Sequence, residues 1–294
     1  MLKQSILLSL LCSLSFSSDI GKEIQNLIKK TNENMVFVKG GSFMMGDPGY
    51  FKNEDEKEWN KRWVIGSPEN RAKYPDASWS HATGKTDDDF VHKVTLSDFS
   101  INKFETTWGE FDTYTKAVGK ELYRKRRIGK TEGRKPNHPA LAPSWDEAKN
   151  YCSWLGEVTG EKYDLPTEAQ WEYAARSRGK YVFCATDNGS CIVQEHNLAN
   201  EAVNISNSIW VGGSYPANPL GIYDMSGNNE EWVNDWYDEE YYKSSLEFHP
   251  KGPKIGKNKI IRGVGSGADG YAICKRYPMR KMAKNYSFRC VLNH

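Results

Sequence analysis

Apolar side chains recur at helical spacing in two neighbouring stretches of the chain. In SWDEAKNYCSWLGEVTG, Trp145, Ala148, Cys152 and Leu155 share one stripe. That spacing predicts a helix capped by Ser144, with Glu147 completing a capping box, and stopped at Gly160. In LPTEAQWEYAARSRG, Thr167 and Gln170 form a second capping box, Pro166 fixes the approach, and Trp171, Ala174 and Ala175 lie on one face. A shorter helix is expected in DIGKEIQNLIKKTNENM. MVFVKGGSFMMGD holds two β-rich runs around Gly40-Gly41, which predicts a hairpin. KVTLSDFSINKFETTWGEF alternates apolar and polar residues, then turns helical after Thr106 or Thr107. Asp47 to His92 is polar and irregular, so it reads as a surface insertion whose charges are solvated. Beyond Lys180 periodicity fades into turns and aromatics. No repeat or linker divides the chain, so one domain is expected.

Composition narrows this only a little. The formal net charge is +2, which gives no electrostatic case for nucleic acid. Aromatic residues make up 13% of the chain, which suits loop-rich irregular structure better than a helical bundle. The opening MLKQSILLSLLCSLSFSSD carries Lys3, an apolar run from Ile6 to Leu14, and Ser15-Phe16-Ser17 as a small-x-small cleavage pattern. Residues 1–17 therefore read as a signal peptide, residues 18–34 as a helical lead-in, and residues 35–294 as the domain. Leu11 before Cys12 argues against a lipid anchor. The expected location is periplasmic or secreted, with no membrane anchor after cleavage. Five cysteines remain beyond that point, so at least one is free or paired outside the chain. Cys184 and Cys191 bracket ATDNGS, a turn-rich stretch suited to a local disulfide.

The order of several motifs resembles the formylglycine-generating enzyme (sulfatase-modifying factor) family. They are FVKGGSFMMGD, FETTWGEF, HPALAPSWDEAKNYCSWLG, LPTEAQWEYAAR, NPLGIYDMSGNNEEWVNDWY and RGVGS followed by FRC, spanning Met35 to Cys290. The resemblance implies an α+β fold related to the C-type-lectin arrangement, with little regular structure, small antiparallel sheets and two packed helices. It also implies a disulfide between Cys152 and Cys290, worth about 4–5 kcal/mol by loop entropy. Cys274 is then unpaired.

Active members of that family oxidise a substrate cysteine to formylglycine with O₂ and a copper(I) ion held by two cysteines. Laying Ser266 of RGVGSGADGYAICKR on the family serine puts Asp269 at the first thiolate position and Cys274 at the second. Aspartate is a hard donor and a poor copper(I) ligand. Met279 and Met282 lie nearby in sequence, though methionine near a core is usually filler. The segment from Cys274 to Cys290 is shorter than in active members, which puts peptide recognition in doubt. Asn285 matches a groove position of the family. Arg276 and Arg280, read as surface cations, are candidates for holding a carboxylate or phosphate.

Calcium is the second cofactor implied. Asn218, Gly221 and Tyr223 of NPLGIYD match one site, and Asn200 and Glu201 fall near another. Glu231 looks structural, and the acids after it in NNEEWVNDWYDEEYY look solvated. The histidines lack zinc spacing. The expectation is a binding or maturation module for an unknown peptide or small molecule, without standard copper oxidase activity. The alternative is an oxidoreductase of altered, copper- and O₂-dependent chemistry using Cys274 and Asp269.

Overall fold

A computed structural model describes residues 19–57, 63–81, 83, 85–123, 134–181, 185, 209, 211–214, 216–263 and 273–294. Residues 1–17, Cys184, Cys191, Asn200, Glu201, Ser266 and Asp269 lie outside the described residues. In chain order the first elements are α1 (Asp19–Asn34), β1 (Met35–Val38), β2 (Gly41–Met45), β3 (Tyr50–Lys52), β4 (Trp63–Ile65) and α2 (Pro68–Lys73). Next come β5 (His92–Leu96), β6 (Phe99–Asn102), α3 (Trp108–Ala117), α4 (Trp145–Thr159), β7 (Tyr163–Asp164) and α5 (Glu168–Ala175). β8 (Glu231–Trp236), β9 (Lys259–Arg262), β10 (Tyr277–Met279) and β11 (Val291–Asn293) complete the order.

The chain around Gly40 is not a hairpin. β1 pairs with β6 and β2 with β5, both antiparallel and in one continuing register. Residues 35–45 and 92–102 thus form a single long ladder that bends at Gly40. A Cβ there would lie 2.4 Å from the Leu96 carbonyl oxygen, and the Gly40 amide donates to Asp98 Oδ1 at 2.7 Å. Glycine allows a close backbone crossing here, not a reverse turn. One sheet has the order β1-β6-β11-β7 and another β10-β9-β8, and the strands within each pair antiparallel.

Local capping explains the helix starts. Thr107 and Glu110 cap α3 reciprocally, as do Thr167 and Gln170 for α5. At α4 only half the expected box forms. Ser144 Oγ accepts from the Glu147 amide at 3.2 Å, but the Glu147 carboxylate turns away to Lys120 at 2.8 Å. Gly160 ends α4 in a left-handed conformation, φ 75°.

The two helices that the sequence marks most clearly serve different cores. α5 contributes Trp171, Ala174 and Ala175 to a cluster with Val38, Phe99 and Ile260. α4 contributes Tyr151, Cys152 and Leu155 to a second cluster with Trp108, Phe111 and Phe288. Within that second core Cys152 is disulfide-bonded to Cys290, with Cα atoms 5.7 Å apart, so α4 is tied to the strand end entering β11. The supposed surface insertion is only partly one, because Asp47, Asp87 and Asp88 are buried.

The bridge closes a separation of 138 residues. Reduction, or Cys152→Ser, should lower unfolding free energy by roughly 2–5 kcal/mol. Denaturant titration with and without reductant checks this; an unchanged midpoint would contradict it.

Candidate functional site

Every residue of α5 is buried, including Glu168, Gln170 and Glu172. A helix enclosed on all sides must pair its charges internally. Glu168, Glu172 and Arg176 recur every four residues and so share a face. Glu168 holds Arg276 with both oxygens, at 2.9 Å each, and Arg262 Nη1 at 2.8 Å. Glu172 Oε2 accepts from Arg262 Nη2 at 2.6 Å, and its Oε1 accepts from Arg176 Nη1 at 2.6 Å. The result is a buried ladder running Arg276, Glu168, Arg262, Glu172, Arg176. Arg262 Nη2 also donates to the Ile273 carbonyl at 2.5 Å, which fixes the backbone beside Cys274. Arg176 and the Gly46 amide anchor the far end to the β2 terminus.

Cys274 is fully buried. Burial, then the charges of Asp47, Asp88 and Glu172, push its thiol well above the ordinary range; Arg176 opposes this. Without a metal the group is a thiol at neutral pH, not the thiolate that nucleophilic chemistry uses. Glu172 behaves oppositely. Burial works against its charge, but Arg262 and Arg176 outweigh burial and hold the carboxyl below its usual range.

Several sequence expectations change here. Arg276 is not a surface cation: it has no exposed side-chain area, and Glu168 occupies its guanidinium. It therefore neither activates Cys274 nor offers itself to a substrate. Arg280 is exposed. Asn285 is also exposed, at φ 78°, and its carbonyl accepts from Asn229 Nδ2 at 3.3 Å. Met282 is 67% exposed, and the Met279 sulfur accepts from the Tyr286 hydroxyl at 3.5 Å. Asp235 is not solvated: it is buried, and its Oδ2 accepts from the Glu168 amide at 2.8 Å, at the start of α5.

The residues matched to calcium fit it poorly. Asn218 Oδ1 accepts from the Leu220 and Ile222 amides at 3.0 and 3.1 Å, and Nδ2 donates to the Ala174 carbonyl at 2.9 Å. Its side chain closes the turn holding Gly221 and docks it on α5. The Tyr223 carbonyl accepts from Arg289 Nη2 at 3.0 Å. Copper(I) fares no better among the described residues, since the charged groups acting on Cys274 are mainly carboxylates, which are hard donors.

A second buried pair lies across Trp171. Arg289 binds both oxygens of Glu231 at 2.7 and 2.6 Å, and Trp171 Nε1 donates to Glu231 Oε2 at 3.0 Å. The Arg262 guanidinium lies 5.3 Å from the Trp171 ring, so this indole touches both networks. A cavity of about 170 Å³ opens elsewhere, lined by Lys30, Asn34, Glu105, Glu110, Asn137 and Tyr151 among others. None of the candidate site residues named from sequence lines it, though Thr106 and Thr107 at the start of α3 do. Glu105 is wholly buried there, and burial, with the charges of Glu231 and Asp224, pushes its carboxyl well up.

Arg276→Ala would leave Glu168 one cationic partner short and should cost about 3–5 kcal/mol of stability. Thermal unfolding checks this; a loss under 1 kcal/mol, which is about the worth of a surface pair, would return Arg276 to the surface reading. Asp235 is pushed from 3.8 to about 7, chiefly by burial and then by Glu168. A raised carboxyl keeps its proton in the fold while the unfolded chain loses it, so stability falls as pH rises from about 4 to about 7. Asp235→Asn should flatten that part of the urea-midpoint profile, and an unaltered slope would contradict it.

Residues 22–294 match the sulfatase-modifying factor enzyme 1-like domain. The chain is 26% identical over 294 residues to the formylglycine-generating enzyme of Thermomonospora curvata, covering 90% of this chain and 91% of that one. It is 33% identical over 231 residues to the serine/threonine-protein kinase pkn1 of Chlamydia pneumoniae, covering 71% of this chain but only 35% of the kinase. The chain thus spans about a third of that relative's length. Among solved structures it is similar to PvdO of Pseudomonas aeruginosa, with a TM-score of 0.66 and 25% identity over 88% of this chain and 94% of that one. A domain match across nearly the whole chain, carried on the same mixed fold of helices and small antiparallel sheets, places this protein in the sulfatase-modifying factor (formylglycine-generating enzyme) family.

Proposed function

We propose that this family member does not carry out copper-dependent oxidation of cysteine to formylglycine, and works in the periplasm or outside the cell as a binding or maturation module. The observation that carries this reading is the state of Cys274. It is the cysteine aligned with a copper ligand of the active enzymes, yet it is sealed from solvent and surrounded mainly by acids, which are hard donors. Asp269 at the other ligand position supplies a hard donor where copper(I) needs a soft one. The signal-like N-terminus and the Cys152–Cys290 disulfide support export. The cavity near Lys30 and Glu105 supports a small ligand or peptide side chain as the bound partner.

Incubating the purified protein with copper(I), O₂ and a cysteine-containing sulfatase peptide should yield no formylglycine by mass spectrometry, and copper(I) should not bind stoichiometrically. Aldehyde formation that disappears in Cys274→Ala would overturn the reading in favour of an oxidoreductase. Intact mass of the periplasmic protein should show residues 1–17 removed; a full-length cytoplasmic form would refute the location.

A further inference from the structure

The loop after β2 and the approach to β5 bring together a cluster of possible metal ligands that borders Cys274. Asp47, His81 and Asp89 each place one potential ligand atom within 4.8 Å of the others. Donors bound to one first-row ion, at about 2.0–2.2 Å from it, stand about 3–4 Å apart, so a small closure completes such a set. His81 Nδ1 already lies 2.9 Å from Asp89 Oδ1, yet that oxygen accepts no hydrogen bond. The two make an ion pair when the imidazole is protonated, but not an aligned hydrogen bond.

Asp88 supplies an independent observation. It has no exposed surface, and its Oδ2 is buried without a partner. It is stitched to Asp47 on both sides: the Asp47 amide donates to the Asp88 carbonyl at 2.7 Å, while Thr83 gives its hydroxyl to Asp88 Oδ1 at 2.8 Å and its amide to Asp47 Oδ2 at 3.2 Å. One threonine thus holds Asp88 Oδ1 and Asp47 Oδ2 together, and the Asp88 carboxyl is joined to that of Asp47. A buried, unpaired carboxylate oxygen is costly, and a bound ion is one of the few things that explains it. Asp87 Oδ1, in the same run, is orphaned too. Asp47 is oriented for the purpose, since the Gly49 and Thr83 amides hold its two oxygens at 2.9 and 3.2 Å. The side chains of His81 and Asp89 are 34% and 26% exposed, which leaves a way in from solvent.

We propose that Asp47, His81 and Asp89 bind one divalent first-row cation of the manganese, iron(II) or zinc class, with the buried Asp88 joined to Asp47 through Thr83. Carboxylates with one imidazole suit these ions; calcium and magnesium prefer oxygen alone, and copper(I) prefers sulfur. Asp47 also acts electrostatically on the Cys274 thiol, so the site borders that cysteine, but its three ligands do not include it.

The test uses the full mature chain stripped with chelator, with Mn²⁺ followed by electron paramagnetic resonance and Zn²⁺ by competition with a chromophoric chelator. One ion per chain should bind, and His81→Ala and Asp89→Asn should each weaken binding by at least about tenfold while circular dichroism shows an intact fold. Asp89→Asn keeps the side-chain volume, so it remains informative if His81→Ala misfolds. Absence of both ions from the intact protein, unchanged affinity in the folded variants, or binding of calcium with neither transition ion would each overturn the assignment.

Discussion

A helix buried on every side cannot carry charges unless the surrounding chain neutralises them, and α5 carries two glutamates and ends at an arginine. The ladder from Arg276 to Arg176 meets that requirement, and much of the architecture follows from it. β9 must run where Arg262 reaches both glutamates. The segment into β10 must turn Arg276 inward. The end of β2 must pass close enough for the Gly46 amide to reach Glu172 and its carbonyl to reach Arg176. Buried ion pairs contribute little net stability against an apolar alternative, but removing one partner is costly. The ladder therefore acts more as a constraint on register than as a source of folding energy. Little regular structure does this in such a fold, so the charges fix what long strands would otherwise fix.

The same constraint sets the character of Cys274. Arg262 fastens the Ile273 carbonyl and so delivers the thiol to a place dominated by Asp47, Asp88 and Glu172. The nearby guanidiniums of Arg176, Arg262 and Arg276 are paired with Glu168 and Glu172. An ordinary cysteine becomes reactive in electropositive, partly open surroundings. This one has neither property.

What the sequence revealed and what it hid divide along one physical line. Caps, stops and apolar stripes are local, so α1, α3, α4 and α5 could be read from residues such as Thr107, Ser144, Thr167 and Gly160. The Cys152–Cys290 pairing came from resemblance, since no local pattern joins residues so far apart. Gly40-Gly41 misled because a close crossing and a tight turn ask for the same residue; the pairing of β2 with β5 was decided by chain lying fifty residues away. Charged residues misled more often. Asp88, Asp235 and Arg276 look like solvated surface when taken singly, and only their distant partners show that they are buried. One signal was present: Glu168, Glu172 and Arg176 recur at four-residue spacing in a helix otherwise rich in alanine and aromatics. Charges on the face of a helix that has no polar side left over must be buried and paired.

Charge balance across the two buried assemblies is uneven. The ladder sets three guanidiniums against two carboxylates. The adjoining loop gathers Asp47, Asp87, Asp88 and Asp89 around one imidazole. Asp88 is buried, with one carboxyl oxygen on the Thr83 hydroxyl and the other without a hydrogen-bond partner. The ladder's guanidiniums are hydrogen-bonded to Glu168 and Glu172. Two outcomes remain for such an arrangement in water: the acids take up protons, or a cation enters. Protonation would supply Asp88 with a donor but leave Asp47, His81 and Asp89 converging to no purpose, whereas one divalent ion answers both the surplus charge and the geometry.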